Sequence, residues 1–304
     1  GYSAGSWSQL GSDIDGEAVG DQSGASVSLS SDGTKIAIGA HSNGGNGTYA
    51  GHVRVYQYSA GSWSQLGSDI DGEAAFNQSG QSVSMSSDGL TVAIGAASNS
   101  GNGIYSGHVR VYSYSAGSWS QLGSDIDGEA AGDRSGASVS LSSDGTKIAI
   151  GAYDNDGNGT NAGHVRVYGY SAGSWSQLGS DIDGEAAGDR SGRSISLSSD
   201  GTKIAIGAYE NDGNGTNAGH VRVYDYSAGS WSQLGSDIDG EAGGDLSGLS
   251  VSLSSDGLTV AIGAASNSGN GSNAGHVRVY GYSAGSWSQL GSDIDGEAAG
   301  DRSG

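Results

Sequence analysis

The stretch that decides the fold reads S-V-S-L-S at Ser26–Ser30, D-G at Asp32-Gly33, K-I-A-I-G-A at Lys35–Ala40 and H-V-R-V-Y-Q-Y at His52–Tyr58. Apolar residues alternate with small or polar ones in every segment, which is the period of a half-buried strand. Val27 and Leu29 share one face, as do Ile36 and Ile38. The Asp-Gly pair between the first two segments is a strong hairpin signal, because both residues tolerate the backbone that a tight reversal requires. A Gly/Asn-rich loop, Ser42–Gly51, leads into the third segment. The turn Ser59-Ala60-Gly61 then leads to a fourth strand around Trp63–Leu66. No segment carries the spacing of an amphipathic helix.

The pattern recurs with a fixed period. Trp7, Trp63, Trp119, Trp175, Trp231 and Trp287 mark a 56-residue repeat, and Gly1–Gly24 returns almost unchanged as Gly281–Gly304. Such self-similarity indicates a propeller, a solenoid or an array. Four short antiparallel strands per unit are the content of one propeller blade. The Asp-Gly hairpins reverse the chain, whereas a solenoid coils onward. The reading is therefore an all-β propeller of 56-residue, four-stranded blades forming a single repeat domain. Its units are 1–56, 57–112, 113–168, 169–224, 225–280 and a partial sixth, 281–304.

The motifs S-G-x-S-V-S-L, D-G, A-I-G-A and G-H-V-R-V-Y resemble the FG-GAP repeat of integrin-α-like β-propellers, and are similar to repeats of large surface proteins of marine microbes and algae. Ser23-Gly24 stands where that family has Phe-Gly, and Gly39-Ala40-His41 replaces Gly-Ala-Pro. The family's D-x-D-x-D-G calcium loop is reduced to Ser30-Ser31-Asp32-Gly33. The resemblance implies the propeller fold and not the family's calcium site.

The 304 residues include 59 Gly, no Pro and no Cys, and carry a formal net charge of −21. That charge repels nucleic acid and anionic lipid and favours cationic partners, divalent metals above all. Without Cys there are no disulfides or zinc–thiolate sites. No apolar run approaches a membrane span, so neither nucleic-acid binding nor membrane insertion is expected. The chain has no initiator Met or signal peptide, and it starts and stops within a repeat, as a segment of a longer polypeptide would.

The acids concentrate in the connection after each Trp strand, G-S-D-I-D-G-E-A-x-G-D. Asp13, Asp15, Glu17 and Asp21 form one such set. Asp125, Asp127, Glu129 and Asp133 form another, and Asp181, Asp183, Glu185 and Asp189 a third. Closely spaced carboxylates around a Gly are the hard-oxygen donors that calcium prefers, and a cation would relieve their mutual repulsion. Calcium is the one cofactor candidate, set against the reading of a solvated polar interblade loop that needs none. A second acidic loop, Asp154–Asn158, recurs as Glu210–Asn214, but the other units lack its acids and turn chemistry accounts for it.

Sequons at Asn46, Asn77, Asn158, Asn214 and Asn270 mark glycosylation sites in a secretory setting. His52 and its copies alternate with Arg54 and its copies at the start of the third strand. They read as a polar ladder between blades or, alternatively, as a repeated ligand site. The Trp residues face a similar choice between core and sugar platform. Burying so large a ring is worth roughly 2–3 kcal/mol, which makes core the default.

No nucleophile elbow or phosphate loop is present, and near-identical units offer no single asymmetric site. The function expected is non-enzymatic: an extracellular or cell-surface, glycosylated structural repeat that self-associates, either as a homopolymer or with neighbouring repeats of the same chain. The alternative is a multivalent carbohydrate-binding or calcium-dependent adhesion propeller with glycan partners. The Trp strand occurs six times and its companion strands five. The surplus copy, marked by Trp7 and Leu10 at one end and by Trp287 and Leu290 at the other, is the expected assembly strand, since an added strand can pair with an open sheet edge.

Overall fold

A computed structural model describes residues 1–3 and 5–304. It contains strands and turns among the described residues, and five sheets repeat one plan. In the first blade the strands are Ser26–Leu29, Lys35–Ala40, His52–Ser59 and Ser62–Gln65, hydrogen-bonded in that order and antiparallel. A short fifth piece, Ile70–Asp71, returns to the outer edge and pairs with Val53 and His52. The outer strand is thus interrupted at Leu66–Asp69, a detail that the sequence pattern does not announce. Each blade is continuous in sequence, running from Ser26 to Asp71 in the first. It therefore straddles the boundary between consecutive 56-residue units.

The turns follow from their residues. Ala60 and Gly61 lie at φ 50° and 87°, the two positive values of the hairpin turn whose twist matches flanking strands. In the Asp-Gly hairpin, the Asp32 carboxylate accepts from the Thr34 amide (2.9 Å) and the Ser30 hydroxyl (2.7 Å). These bonds pull its pKa down to about 2. The remnant of the family's calcium loop is thus committed to closing its own turn.

The first strands of all five blades line one central channel. Leu29, Met85, Leu141, Leu197 and Leu253 stand at one end of it, and Val27, Val83, Val139, Ile195 and Val251 at the other. The apolar cores lie between blades. Ala93, Val109, Val111 and Ile126 of the second blade pack on Leu141, Ile148 and Ile150 of the third, with Leu122 and Trp175 at the margin. The same set recurs at the other seams, for four in all. Close approach is enforced by glycine: a Cβ on Gly95 would collide with the Gly136 carbonyl oxygen of the next blade.

Polar bonds repeat the register at each seam. The Ser31 amide donates to the Ser87 carbonyl, Ser87 to Ser143, Ser143 to Ser199 and Ser199 to Ser255, all at 2.8–2.9 Å. Among the described residues no hydrogen bond joins the fifth blade to the first. The series stops, and the ring is open. Leu29 is 57% exposed where Leu141 is 8%, and Ile294 is 59% exposed where Ile182 is 6%.

Candidate functional site: the repeated interblade seam

The polar side of each seam is built by three pieces of chain. The third strand contributes its first residues, His52 and Arg54, both buried. The connection after the same blade's outer strand contributes Asp69. The corresponding connection ahead of the blade contributes Glu17. In the first seam His52 Nδ1 lies 3.7 Å from Glu17 Oε2 and 3.8 Å from Asp69 Oδ2. The grouping recurs as Glu73/His108/Asp125, Glu129/His164/Asp181, Glu185/His220/Asp237 and Glu241/His276/Asp293.

Arginine ties the seam from below. Arg54 Nη2 donates to the Asp15 carbonyl at 2.8 Å, and its Nη1 stands 3.7 Å from Glu17 Oε1. Its guanidinium also lies 5.6 Å from the centre of the Tyr56 ring. Equivalent bonds run from Arg110, Arg166, Arg222 and Arg278 to the carbonyls of Asp71, Asp127, Asp183 and Asp239. Burial lowers the pKa of His108 to about 4, and the neighbouring Arg110 adds to that shift while Asp125 opposes it. Burial and arginine lower His164 and His220 in the same way. These rings are therefore neutral near pH 7.

The acidic loops do not gather their own carboxylates. Asp125 joins His108, whereas Glu129 of the same loop joins His164 one seam further on. Asp181 and Glu185 divide likewise between His164 and His220, and Glu17 goes to His52. The Asp15, Asp127 and Asp183 positions serve through their backbone carbonyls, which accept from arginine. Asp21, Asp133 and Asp189 turn inward, and each accepts from an amide three residues back. The within-loop oxygen cage expected for calcium is therefore replaced by a mixed nitrogen–oxygen cluster that spans two units. Asp154 and Glu210, from two copies of the second acidic loop, pair with Arg134 and Arg190 at 3.0–3.8 Å.

Five tryptophans, Trp63 to Trp287, lie half-buried at the seam margins rather than in the core. Trp63 Nε1 donates to the Leu10 carbonyl at 2.8 Å and Trp175 Nε1 to that of Leu122 at 2.7 Å. Each ring leans on a Tyr, as Tyr170 and Trp175 do at 5.0 Å. Trp7, with no blade beneath it, is 81% exposed. It forms an isolated two-stranded hairpin with Tyr2–Ser3.

The sequon residues Asn46, Asn158, Asn214 and Asn270 are exposed, and each donates Nδ2 to a Gly carbonyl of the following acidic loop at 2.7–2.8 Å. Asn102 does the same although Ile104 removes its sequon. The bond explains the Asn without a glycan. Asn77 is only 7% exposed and presents no surface to one.

The sequence matches the FG-GAP repeat family at residues 126–168 and 182–224. No curated protein matches it. Among solved structures, the periplasmic gluconolactonase of Pseudomonas aeruginosa superposes with a TM-score of 0.61 at 17% identity, over 91% of this chain and 73% of that one. Hydrazine synthase of Kuenenia stuttgartiensis gives 0.56 at 14%, over 92% and 69%. A putative 6-phosphogluconolactonase from Bacteroides uniformis gives 0.53 at 11%, over 90% and 85%. At these identities the likeness is one of fold. Repeats and strand order agree on a β-propeller fold, and two stretches of the chain match the FG-GAP repeat.

Proposed function

We propose that the protein is a non-enzymatic structural repeat whose copies join end to end through their open faces. The observation that carries this reading is the contrast between filled and unfilled seams. The fifth blade presents Ile294 and Leu290 outward, 59% and 52% exposed, where the equivalent Ile126 and Ile182 are covered by a following blade. The first blade presents Val27 and Leu29, both 57% exposed, the residues whose equivalents receive the preceding blade. The two ends are halves of one interface that the chain already makes four times. Within the chain, residues 1–24 supply the Leu10 and Asp15 carbonyls to which Trp63 and Arg54 donate, and at a joint the copy 281–304 of a neighbouring chain takes that place. This gives the surplus Trp strand a place at the joint.

The burial of the His and Arg positions, and the tie of each half-buried seam Trp to a carbonyl of the preceding outer connection, favour a scaffold over a lectin, whose aromatic platforms must meet solvent. We place the protein outside the cell or on its surface, with glycans on Asn46, Asn158, Asn214 and Asn270. Among the described residues no helix is long and apolar enough to cross a membrane. Electron microscopy of the unstained protein tests the reading. Rows of globular units are expected, and Ile294→Asp should return them to single particles. Isolated particles at every concentration would overturn it.

A further inference from the structure

The four seams and the contact of residues 1–24 with the first blade each bury a histidine that, among the described residues, makes no hydrogen bond. His52, His108, His164, His220 and His276 are 1–2% exposed, yet every Nδ1 stands 3.7–3.9 Å from its two carboxylate oxygens. That is beyond hydrogen-bond range. At His108, His220 and His276 the other ring nitrogen is also buried without a partner. A buried polar ring without partners costs free energy that a single hydrogen bond would offset, and the same arrangement occurs five times. The three donor atoms of each group lie within 4.8 Å of one another.

We propose that each of the five clusters binds one divalent transition cation of the zinc class, held by the His Nδ1, one Glu oxygen from the connection that precedes the blade and one Asp oxygen from the connection that follows its outer strand. One imidazole and two carboxylates are donors that zinc accepts, with bonds of roughly 2.0–2.2 Å. Tetrahedral geometry at that length sets ligand atoms about 3.4 Å apart, so each His–carboxylate pair closes by a few tenths of an ångström. The carboxylates can make that movement, because Glu129 and Asp181 are 45% and 32% exposed while the histidine stays fixed. Water completes the fourth position from the exposed side. Arg166, on the far oxygen of Glu129 at 3.5 Å, holds that carboxylate in place and offsets part of its charge. Imidazole selects against calcium, which takes six to eight oxygens.

The ligands come from two consecutive units, so the ion is a clamp across the seam. The inference does not depend on copies joining end to end. Glu17 belongs to the N-terminal tail, so the first site needs residues 1–24. Glu297, at the other end, has no histidine in this chain to reach.

The test is equilibrium dialysis of the full chain against Zn2+, with bound metal counted per chain, beside parallel dialysis against Ca2+. Five zinc ions are expected, with calcium bound at least tenfold more weakly. Glu129→Gln/Asp181→Asn removes only exposed carboxylates and should lower the count to four. Cobalt in place of zinc should give the visible absorption of a four-coordinate site, reduced by one fifth in the same variant. No tight zinc, an unchanged count in the variant, or calcium bound as tightly as zinc would each overturn the assignment.

Discussion

Ile182 and Ile294 occupy the same position in the repeat, one 6% and the other 59% exposed. Their local sequences, strands and turns are the same. What differs is the blade that follows. The core of this molecule therefore lies between units, and an end is a half-built core rather than a finished cap. Repeat proteins whose terminal units bury their outer faces behave otherwise.

The largest expected effect sharpens that difference. Ile182→Ala should destabilise the protein by about 2–5 kcal/mol, the usual result of opening a cavity in a packed core. Ile294→Ala should change stability by less than about 0.5 kcal/mol in a dilute monomer. Urea unfolding of the two variants measures both values. Equal losses would mean that the interior seam is no better packed than the end.

Acid should attack the inner seams next. His108 has a folded pKa of about 4 against an ordinary 6.5, so the folded protein binds fewer protons than the unfolded chain between those values. The stability this contributes is present above pH 6.5 and is lost as pH falls toward 4, by up to about 3 kcal/mol. His164 and His220 shift the same way. Unfolding midpoints should fall steeply across that window. His108→Gln should flatten the slope, and an unchanged slope would contradict the assignment of a neutral buried ring.

A smaller effect concerns one hydrogen bond. Trp175→Phe removes the donor to the Leu122 carbonyl and should cost about 1 kcal/mol. Trp7→Phe, on the exposed hairpin, should cost nothing measurable by the same urea titration.

Strand alternation, the Asp-Gly turns and the 56-residue period made the blade legible from sequence, because each is a local signal. The interruption at Leu66–Asp69 and the return of Ile70–Asp71 were not, since two residues carry no period. The candidate site was visible only in parts. His52 and the acidic loop each stood out, but Glu17 reaches His52 across 35 positions and from outside the blade, and sequence proximity grouped it with Asp13 and Asp15 instead. The co-repetition of Glu, His and Asp at one period was the signal that could have joined them. Asn46 illustrates the reverse. Its sequon suggested a glycan, whereas its bond to the Gly72 carbonyl gives the residue a structural reason of its own.

The central claim is that the two ends are complementary halves of the internal seam. Sedimentation equilibrium over a wide concentration range tests it most directly, with the wild-type chain beside Ile294→Asp and Leu29→Asp. The account predicts reversible association of the wild type, none for either variant alone, and restored dimers, but no longer species, when the two variants are mixed, since each keeps one intact face. A wild-type chain that stays monomeric throughout would contradict it.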